Sequence, residues 1–530
     1  MLLGTTFPTV VPDQLYSGPT VGEWMIRSIK RYADRIAFVF EGRRITYRHM
    51  GKRVSQLMQV LRSQGLKNGD GICLFCPNRP EAFLIRIAAN LLGLRFTALH
   101  PLGSLGDHAY IFRDSQSALL IIDRTLAARG AEMLKDHPGP YRILSLGECA
   151  GTADILALAD RLPAVELWCE AAPSDVSCLV YSGGTTGRPK GIIHSLRTLL
   201  TYVLMCLAEW EWPKDIRLLA VTPLSHAAGM LVLPTLVRGG TVYLKEGFDA
   251  EDFLRSVEED RITVTFLVPT MLYVLLDHAL INQLDHASLQ LVIYGASPIS
   301  PSRLLQAMHT FGPILLQLYA QSEAPMTVTT LNTWDHDPGK PALLASCGYP
   351  MVGVQVCLLD ADGNAVRLGE VGEICVRGPL VMDGYWNRPA ETAEAFTHGW
   401  LHTGDLARQD QTGALYIVDR KKDMIVTGGF NVYPKEVEDV LVEHPAVAQA
   451  AVISVPDEKW GEALKAVIVR KIGSQASEGE LQAFVRARKG PVLTPKSIEF
   501  RENLPLTQFG KPDKKNLRAP YWKGSERNVN

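Results

Sequence analysis

Apolar residues recur at three- and four-residue spacing through Tyr47, Met50, Val54, Leu57, Met58 and Leu61, which predicts an amphipathic helix. Thr46 stands ready to cap it and Gly65 to stop it. The run GICLFC then reads as a short buried strand. A second helical pattern passes through Phe83, Leu84, Ile87, Leu91 and Leu92 before the strand-like RFTALH. The alternation continues through ALLIID, SCLVYS, TVYL, VTFLV and LQLVIYG, predicting an α/β fold of doubly wound, largely parallel sheets. From about 350 to 418 the texture changes to VQVCLLDADGNAV and GEICVRG, which predicts a smaller barrel-like or antiparallel unit. A charged turn, Asp419–Asp423, leads to helix PKEVEDVLVEH, strands AAVISV and KAVIVRK, helix GELQAFVRA and a basic tail. The expected division is a large domain over 1–422, with the β-rich unit inside it, and a small, mobile α+β domain over 423–530.

Twenty residues between Arg217 and Arg238 lack Lys, Arg, Asp and Glu, a length that could span a bilayer. Pro223, Ser225, His226, Gly229 and Pro234 interrupt them, so a buried strand, a tight turn and a buried helix are expected instead of a transmembrane segment. The whole chain of 530 residues carries 54 Lys plus Arg against 56 Asp plus Glu, which gives no support for a nucleic-acid coat or an anionic-membrane binder. That balance is an average: from residue 424 onward there are 16 basic against 13 acidic residues, concentrated around Lys511, Lys514, Lys515 and Arg518. Nine cysteines, an odd count, and an N-terminus without a secretory pattern predict reduced thiols in a cytoplasmic protein.

The most informative run is Tyr181-Ser182-Gly183-Gly184-Thr185-Thr186-Gly187-Arg188-Pro189-Lys190-Gly191, between a strand and a helical pattern. Glycines turn backbone amides inward, hydroxyls add donors and Lys190 adds charge, the chemistry of a phosphate cradle. No Gly-Lys-Ser/Thr triplet closes it, so it is not a Walker loop. Further along stand Tyr319-Ala320-Gln321-Ser322-Glu323, Gly399-Trp400-Leu401-His402-Thr403-Gly404-Asp405, Asp419-Arg420-Lys421-Lys422-Asp423 and Pro505-Leu506-Thr507-Gln508-Phe509-Gly510-Lys511. In this order the elements resemble those of the adenylate-forming superfamily of acyl- and aryl-CoA synthetases, adenylation domains and luciferases, and Tyr294-Gly295-Ala296-Ser297-Pro298-Ile299-Ser300 with the run Met424–Pro434 looks most like bacterial fatty-acyl-CoA synthetases. Ala320 and Ser322 depart from that pattern, where glycine and threonine are usual.

The resemblance implies a carboxylate attacking the α-phosphate of ATP to give acyl-AMP and pyrophosphate, then thioester formation with CoA. It implies that Ser182, Gly183, Thr185, Thr186, Gly187 and Lys190 hold phosphates and that Glu323 with Ser322 holds Mg²⁺. Tyr319 would stack on adenine beside Gly295, Ala296 and Ser297, while Asp405 would accept from both ribose hydroxyls with Arg420 nearby. Lys511 would be the catalytic lysine and Lys422 the hinge. Gly428, Gly429, Phe430 and Asn431 would line the CoA tunnel after the domain swings. Many relatives are dimers, so a homodimer is an expectation.

His226 is the expected gate of the carboxylate pocket, with Gly229, Met230, Val268 and Gly295 lining it. No acidic residue lies within 223–236 to grip an amino group, which disfavours an amino-acid substrate. The apolar surroundings suit a fatty or aryl carboxylate, and the resemblance to bacterial fatty-acyl-CoA synthetases favours a fatty acid. An aryl-acid CoA ligase, a ligase loading a carrier protein and a nucleotide-binding pseudoenzyme are the alternatives.

Overall fold

A computed structural model of the chain describes residues 18–135, 139–182, 188–225, 227–427, 430–457, 460–471, 473–506 and 512–522. The helix expected after Thr46 spans Tyr47–Ser63, with the Thr46 hydroxyl accepting from the His49 amide. Its apolar stripe is fully buried, and Gly65 follows with φ of 73°. The next units, strand Gly71–Phe75, helix Pro80–Leu91 and strand Arg95–Leu99, follow the sequence pattern as well.

These units build two sheets. The first has seven strands, in which Val176–Ser182, Arg95–Leu99, Gly71–Phe75, Ser117–Asp123 and Arg142–Leu146 run parallel in that order. Strand Lys190–Ser195 folds back antiparallel on Val176–Ser182, so Lys190 pairs with Ser182 across the phosphate loop. The second sheet has nine strands, with a parallel centre from Ile36–Phe40 to Leu315–Gln321 and antiparallel strands at both margins. Buried on both faces, the central strands are continuous apolar runs such as Leu291–Gly295.

The uncharged stretch resolves into strand Arg217–Ala220 and helix Ala227–Val237, the latter carrying Pro234 internally. Among the described residues no helix is long and apolar enough to cross a membrane. The β-rich unit is a four-stranded antiparallel sheet of Gln355–Leu359, Gly372–Arg377, Leu401–Gln409 and Leu415–Arg420.

After the charged turn a further sheet forms. Its long hairpin pairs Val447–Asp457 with Gly461–Arg470, and Ser497–Arg501 lies parallel to the latter. Helices Pro434–Glu443 and Glu478–Lys489 contribute Val437, Leu441, Leu481 and Val485 to its core. That core draws only on residues from Ile425 onward. The parallel edge strand Ser497–Arg501 and the short hairpin of Ile425–Thr427 with Phe430–Val432 were not evident as sequence patterns.

Candidate active site

The nine-stranded sheet and the antiparallel sheet bring three of the quoted motifs together around Asp405. Strand Leu315–Gln321 places Tyr319 and Gln321 so that the Tyr319 hydroxyl donates to Asp405 Oδ2 at 2.7 Å and Gln321 Nε2 to the same oxygen at 2.6 Å. Asp405 and Arg420 face each other in register on adjacent strands, and Arg420 Nε reaches Asp405 Oδ1 at 3.2 Å. Asp405 is 5% exposed and Tyr319 9% exposed, so the cluster excludes most water. Burial first, then the Asp405 charge, pushes the Tyr319 phenol far up, which keeps it a donor.

A carboxylate offers about four lone-pair positions. Tyr319, Gln321 and Arg420 take three of those on Asp405. The expectation that Asp405 accepts from both ribose hydroxyls therefore requires one of these donors to move aside. Arg420, with 45% of its side chain exposed, has the room to do so.

Glu323 lies in the turn after the same strand. Its Oε1 accepts from the Tyr385 hydroxyl at 3.0 Å, and its carbonyl accepts from the Met382 amide at 2.8 Å. Among the described residues no ion pair holds the Glu323 carboxylate, and its partner there is a neutral phenol. That donor set suits a hard divalent cation. The Ser322 carbonyl is engaged by His194 Nε2 at 2.8 Å. Burial lowers the His194 pKa to about 4, so this ring is neutral and binds the turn through a neutral hydrogen bond.

The phosphate-loop flanks converge on the same place. Lys190 Nζ pairs with Glu391 at 2.7 Å and lies 5.2 Å from the centre of the Tyr385 ring. The Tyr181 hydroxyl donates to Asp114 Oδ2 at 2.8 Å, while a Cβ on Gly191 would fall 2.9 Å from the Tyr181 ring. Glycine at 191 therefore lets the two arms of the hairpin close against the aromatic ring.

Gly295 ends its strand so close to its neighbour that a Cβ would meet the Leu318 carbonyl at 2.4 Å. Ala296, next along, adopts φ of 69°, a left-handed conformation that costs a non-glycine residue about 1 kcal/mol or more. Ser297 follows in the same turn. Strain at this position, beside Tyr319 on the neighbouring strand, is the sort of feature that accompanies a binding site.

In the expected carboxylate pocket, Met230 and Val268 are partly buried against the main core. Gly229 has a reason of its own: a Cβ there would sit 1.8 Å from the Leu224 carbonyl, so only glycine lets the turn enter the helix. Phe430 is 59% exposed. Lys422 is half-buried, and burial followed by Arg420 lowers its pKa to about 8.

Gly183, Thr185, Thr186, Gly187, His226, Gly428, Gly429 and Lys511 lie outside the described residues, as does the Ser182 side chain. The flanks of the Lys511 segment are placed, with Leu506 bridging to Pro512 and the Asp513 amide donating to the Pro505 carbonyl at 2.8 Å. Sequence reasoning missed Gln321 and Tyr385. Gln321 sat inside a quoted motif with no role attached. Tyr385 is 62 positions from Glu323 and carries no local signal.

Two wound sheets whose edges present a buried carboxylate cluster, a carboxylate held by a phenol and a lysine-ended loop, joined to a separately cored C-terminal unit, define an adenylate-forming enzyme. Comparison with known proteins agrees. The model of the AMP-binding enzyme family matches residues 25–386, and that of the AMP-binding enzyme C-terminal domain matches 436–511. The chain is 46% identical to a medium/long-chain-fatty-acid–CoA ligase of Mycobacterium tuberculosis, over 97% of this chain and 93% of that one. It is 36% identical to a feruloyl-CoA synthase of an Amycolatopsis species, covering 94% and 99%. Among solved structures, ATP-bound MatB from Rhodopseudomonas palustris superposes with a TM-score of 0.87 at 26% identity, covering 96% and 100%. The chain belongs to the AMP-binding enzyme family, and its chemistry is that of the adenylate-forming acid–CoA ligases, which consume ATP and CoA.

Proposed function

We propose that the protein activates medium- to long-chain fatty acids in the cytoplasm, forming acyl-AMP in one pose and the CoA thioester in a second. The observation that carries the reading is the convergence on one edge of the Asp405–Tyr319–Gln321–Arg420 cluster with Glu323, Tyr385 and Lys190. Asp405 receives the ribose, with Arg420 yielding a position. Tyr319 lies against the adenine with its hydroxyl anchored, beside Gly295, Ala296 and Ser297. Lys190 exchanges Glu391 for phosphate oxygens, helped by Ser182, Gly183, Thr185, Thr186 and Gly187. Mg²⁺, when bound by Glu323 beside Ser322, supplies charge neutralisation on the phosphates. Tyr385 orients the Glu323 carboxylate for that task.

The reaction joins two anions, so positioning and charge neutralisation dominate it. Lys511 brings its ammonium between the carboxylate and the α-phosphate. Rotation at Lys422, on the boundary between 1–422 and 423–530, then withdraws Lys511 and brings Gly428, Gly429 and Phe430 to the site for the CoA thiol. The exposed ring of Phe430 suits a surface that is covered only in the second pose. His226, Gly229, Met230, Val268 and Gly295 form the acyl pocket. The preference for fatty acids rests on the 46% identical mycobacterial relative and the apolar surroundings of Met230 and Val268. A homodimer is part of the proposal on family habit alone, and light scattering of the purified protein tests it.

An aryl acid is the second reading, favoured by the 36% identical feruloyl-CoA synthase. Both are tested by incubating the protein with ATP, Mg²⁺ and a panel of fatty, aryl and short branched carboxylates, with and without CoA. AMP and thioester should form fastest from C8–C18 fatty acids. Turnover confined to cinnamate-type acids would overturn the substrate assignment, and AMP release without any need for CoA would point to another acceptor.

A further inference from the structure

Beside the nucleotide cluster lies a group of three side chains that adenylation does not use. Glu373 and Cys375 share a strand, and Cys375 pairs in register with His402 on the next strand. Burial covers both Glu373, 6% exposed, and Cys375, 0% exposed. Cys375 Sγ lies 3.5 Å from His402 Nδ1, and that nitrogen lies 3.1 Å from Glu373 Oε2. All three donor atoms fall within 4.8 Å of one another.

The Cys375–His402 separation is that of two corners around one ion, and the 3.1 Å between His402 and Glu373 must open by a few tenths of an ångström to match. With zinc–sulfur, zinc–nitrogen and zinc–oxygen bonds near 2.3, 2.05 and 2.1 Å, tetrahedral neighbours stand roughly 3.4–3.6 Å apart. The group already carries a cation: Lys421 Nζ reaches Glu373 Oε2 at 3.1 Å. Glu373 Oε1 is held separately by the Gly404 amide at 2.9 Å, which aims the other oxygen at the His402 ring. His402 Nε2 is buried without a hydrogen-bond partner among the described residues, so the ring has no fixed second contact to give up.

We propose that Glu373, Cys375 and His402 form a binding site for a soft divalent cation, zinc above all, whose occupancy alternates with the Lys421 ammonium. Thiolate and imidazole select such an ion over Mg²⁺ or Ca²⁺. On binding, Cys375 loses its thiol proton to solvent, while the imidazole proton moves from Nδ1 to Nε2 and frees the Nδ1 lone pair. Water completes the fourth position. Lys421 turns outward, at low cost because 58% of its side chain is already exposed. Its backbone amide stays bonded to the Gly404 carbonyl at 2.8 Å, so the ion sits between the strand leading to Asp405 and the residue preceding Lys422. The exchange therefore changes the charge beside both the nucleotide cluster and the proposed hinge.

The test uses the full chain, freed of metal by dialysis and titrated with Co²⁺ and then Zn²⁺. One equivalent of Co²⁺ should give a thiolate charge-transfer band and tetrahedral visible bands, both displaced by Zn²⁺. Cys375→Ala should abolish the charge-transfer band and weaken Zn²⁺ binding at least about tenfold, with circular dichroism showing that the variant is folded. Lys421→Ala, a surface change, should strengthen binding several-fold by removing the competing cation. The proposal is overturned by absence of the band in the parent chain, by a band that survives Cys375→Ala, or by unchanged or weaker affinity in Lys421→Ala.

Discussion

The residues that surround the Asp405 cluster and those that follow the charged turn are held together in different ways. Up to Ile417 the apolar side chains belong to clusters that run through both large sheets, and Tyr319 is itself a member. Among the described residues from Ile425 onward, the clustered apolar side chains form two clusters of their own. Among the described residues, polar contacts cross between the two parts. Asp419 Oδ2 accepts from the Lys435 amide at 2.8 Å, and Arg408 approaches Glu436 at 3.5 Å. A polar crossing can be remade in another orientation without exposing a core, whereas the Asp405 cluster is fixed by buried strands in register. Under the proposed function, the first part holds its geometry while the second changes its neighbours.

The largest effect should come from the fixed part. Asp405→Ala leaves Tyr319, Gln321 and Arg420 without their common acceptor. It should lower kcat/KM for ATP on the order of 10³-fold, about 4 kcal/mol, read by pyrophosphate exchange. A loss under tenfold would mean that the cluster is structural only. Next comes the independence of the two cores. Leu441→Ala, fully buried among C-terminal residues, should cost about 3 kcal/mol in the second core and leave the first untouched. Calorimetry should then show an earlier transition with a smaller enthalpy ahead of an unchanged main one. A single transition shifted as a whole would show the two parts unfolding together.

A smaller change is expected at Tyr385→Phe, which removes one hydrogen bond to Glu323. On the order of tenfold should be lost from adenylation, and raising Mg²⁺ should recover part of it. The smallest concerns the crossing itself. Burial raises the Asp419 pKa to about 6, against the pull of Lys514 and the Lys435 amide and with the push of Glu438. A carboxyl whose folded pKa is raised binds its proton more tightly in the folded state, so its contribution to stability falls as pH rises from about 4 to 6. The melting temperature of the parent relative to Asp419→Asn should therefore drop across that window. A constant difference would remove Asp419 from the account of the crossing.

Much of this was legible in the chain because the signals were local. Thr46 and the apolar spacing after it located one helix, and the uncharged stretch before Arg238 read correctly as strand, turn and helix despite Pro234. The pairing of Asp405 with Arg420 followed from two motifs that the antiparallel sheet sets side by side. What stayed hidden depended on distant approach. Tyr385 meets Glu323 through an edge strand of only two residues, Gly384–Tyr385, too short for any pattern. The three-residue strands after Asp423 were invisible for the same reason, and Ser497–Arg501, although five residues long, went unread because its charged residues mask the short apolar alternation. Gly229 read as pocket lining from its surroundings, and the contact with the Leu224 carbonyl supplies a backbone reason as well.

The central claim is that the two parts divide the reaction, and the half-reactions of Lys511→Ala test it most directly. Acyl-adenylate formation, followed by pyrophosphate exchange, should fall at least about 10³-fold. Thioester formation from supplied acyl-AMP and CoA should stay within about threefold of the parent enzyme, because the proposed second pose withdraws Lys511. An equal fall in both half-reactions would contradict the account.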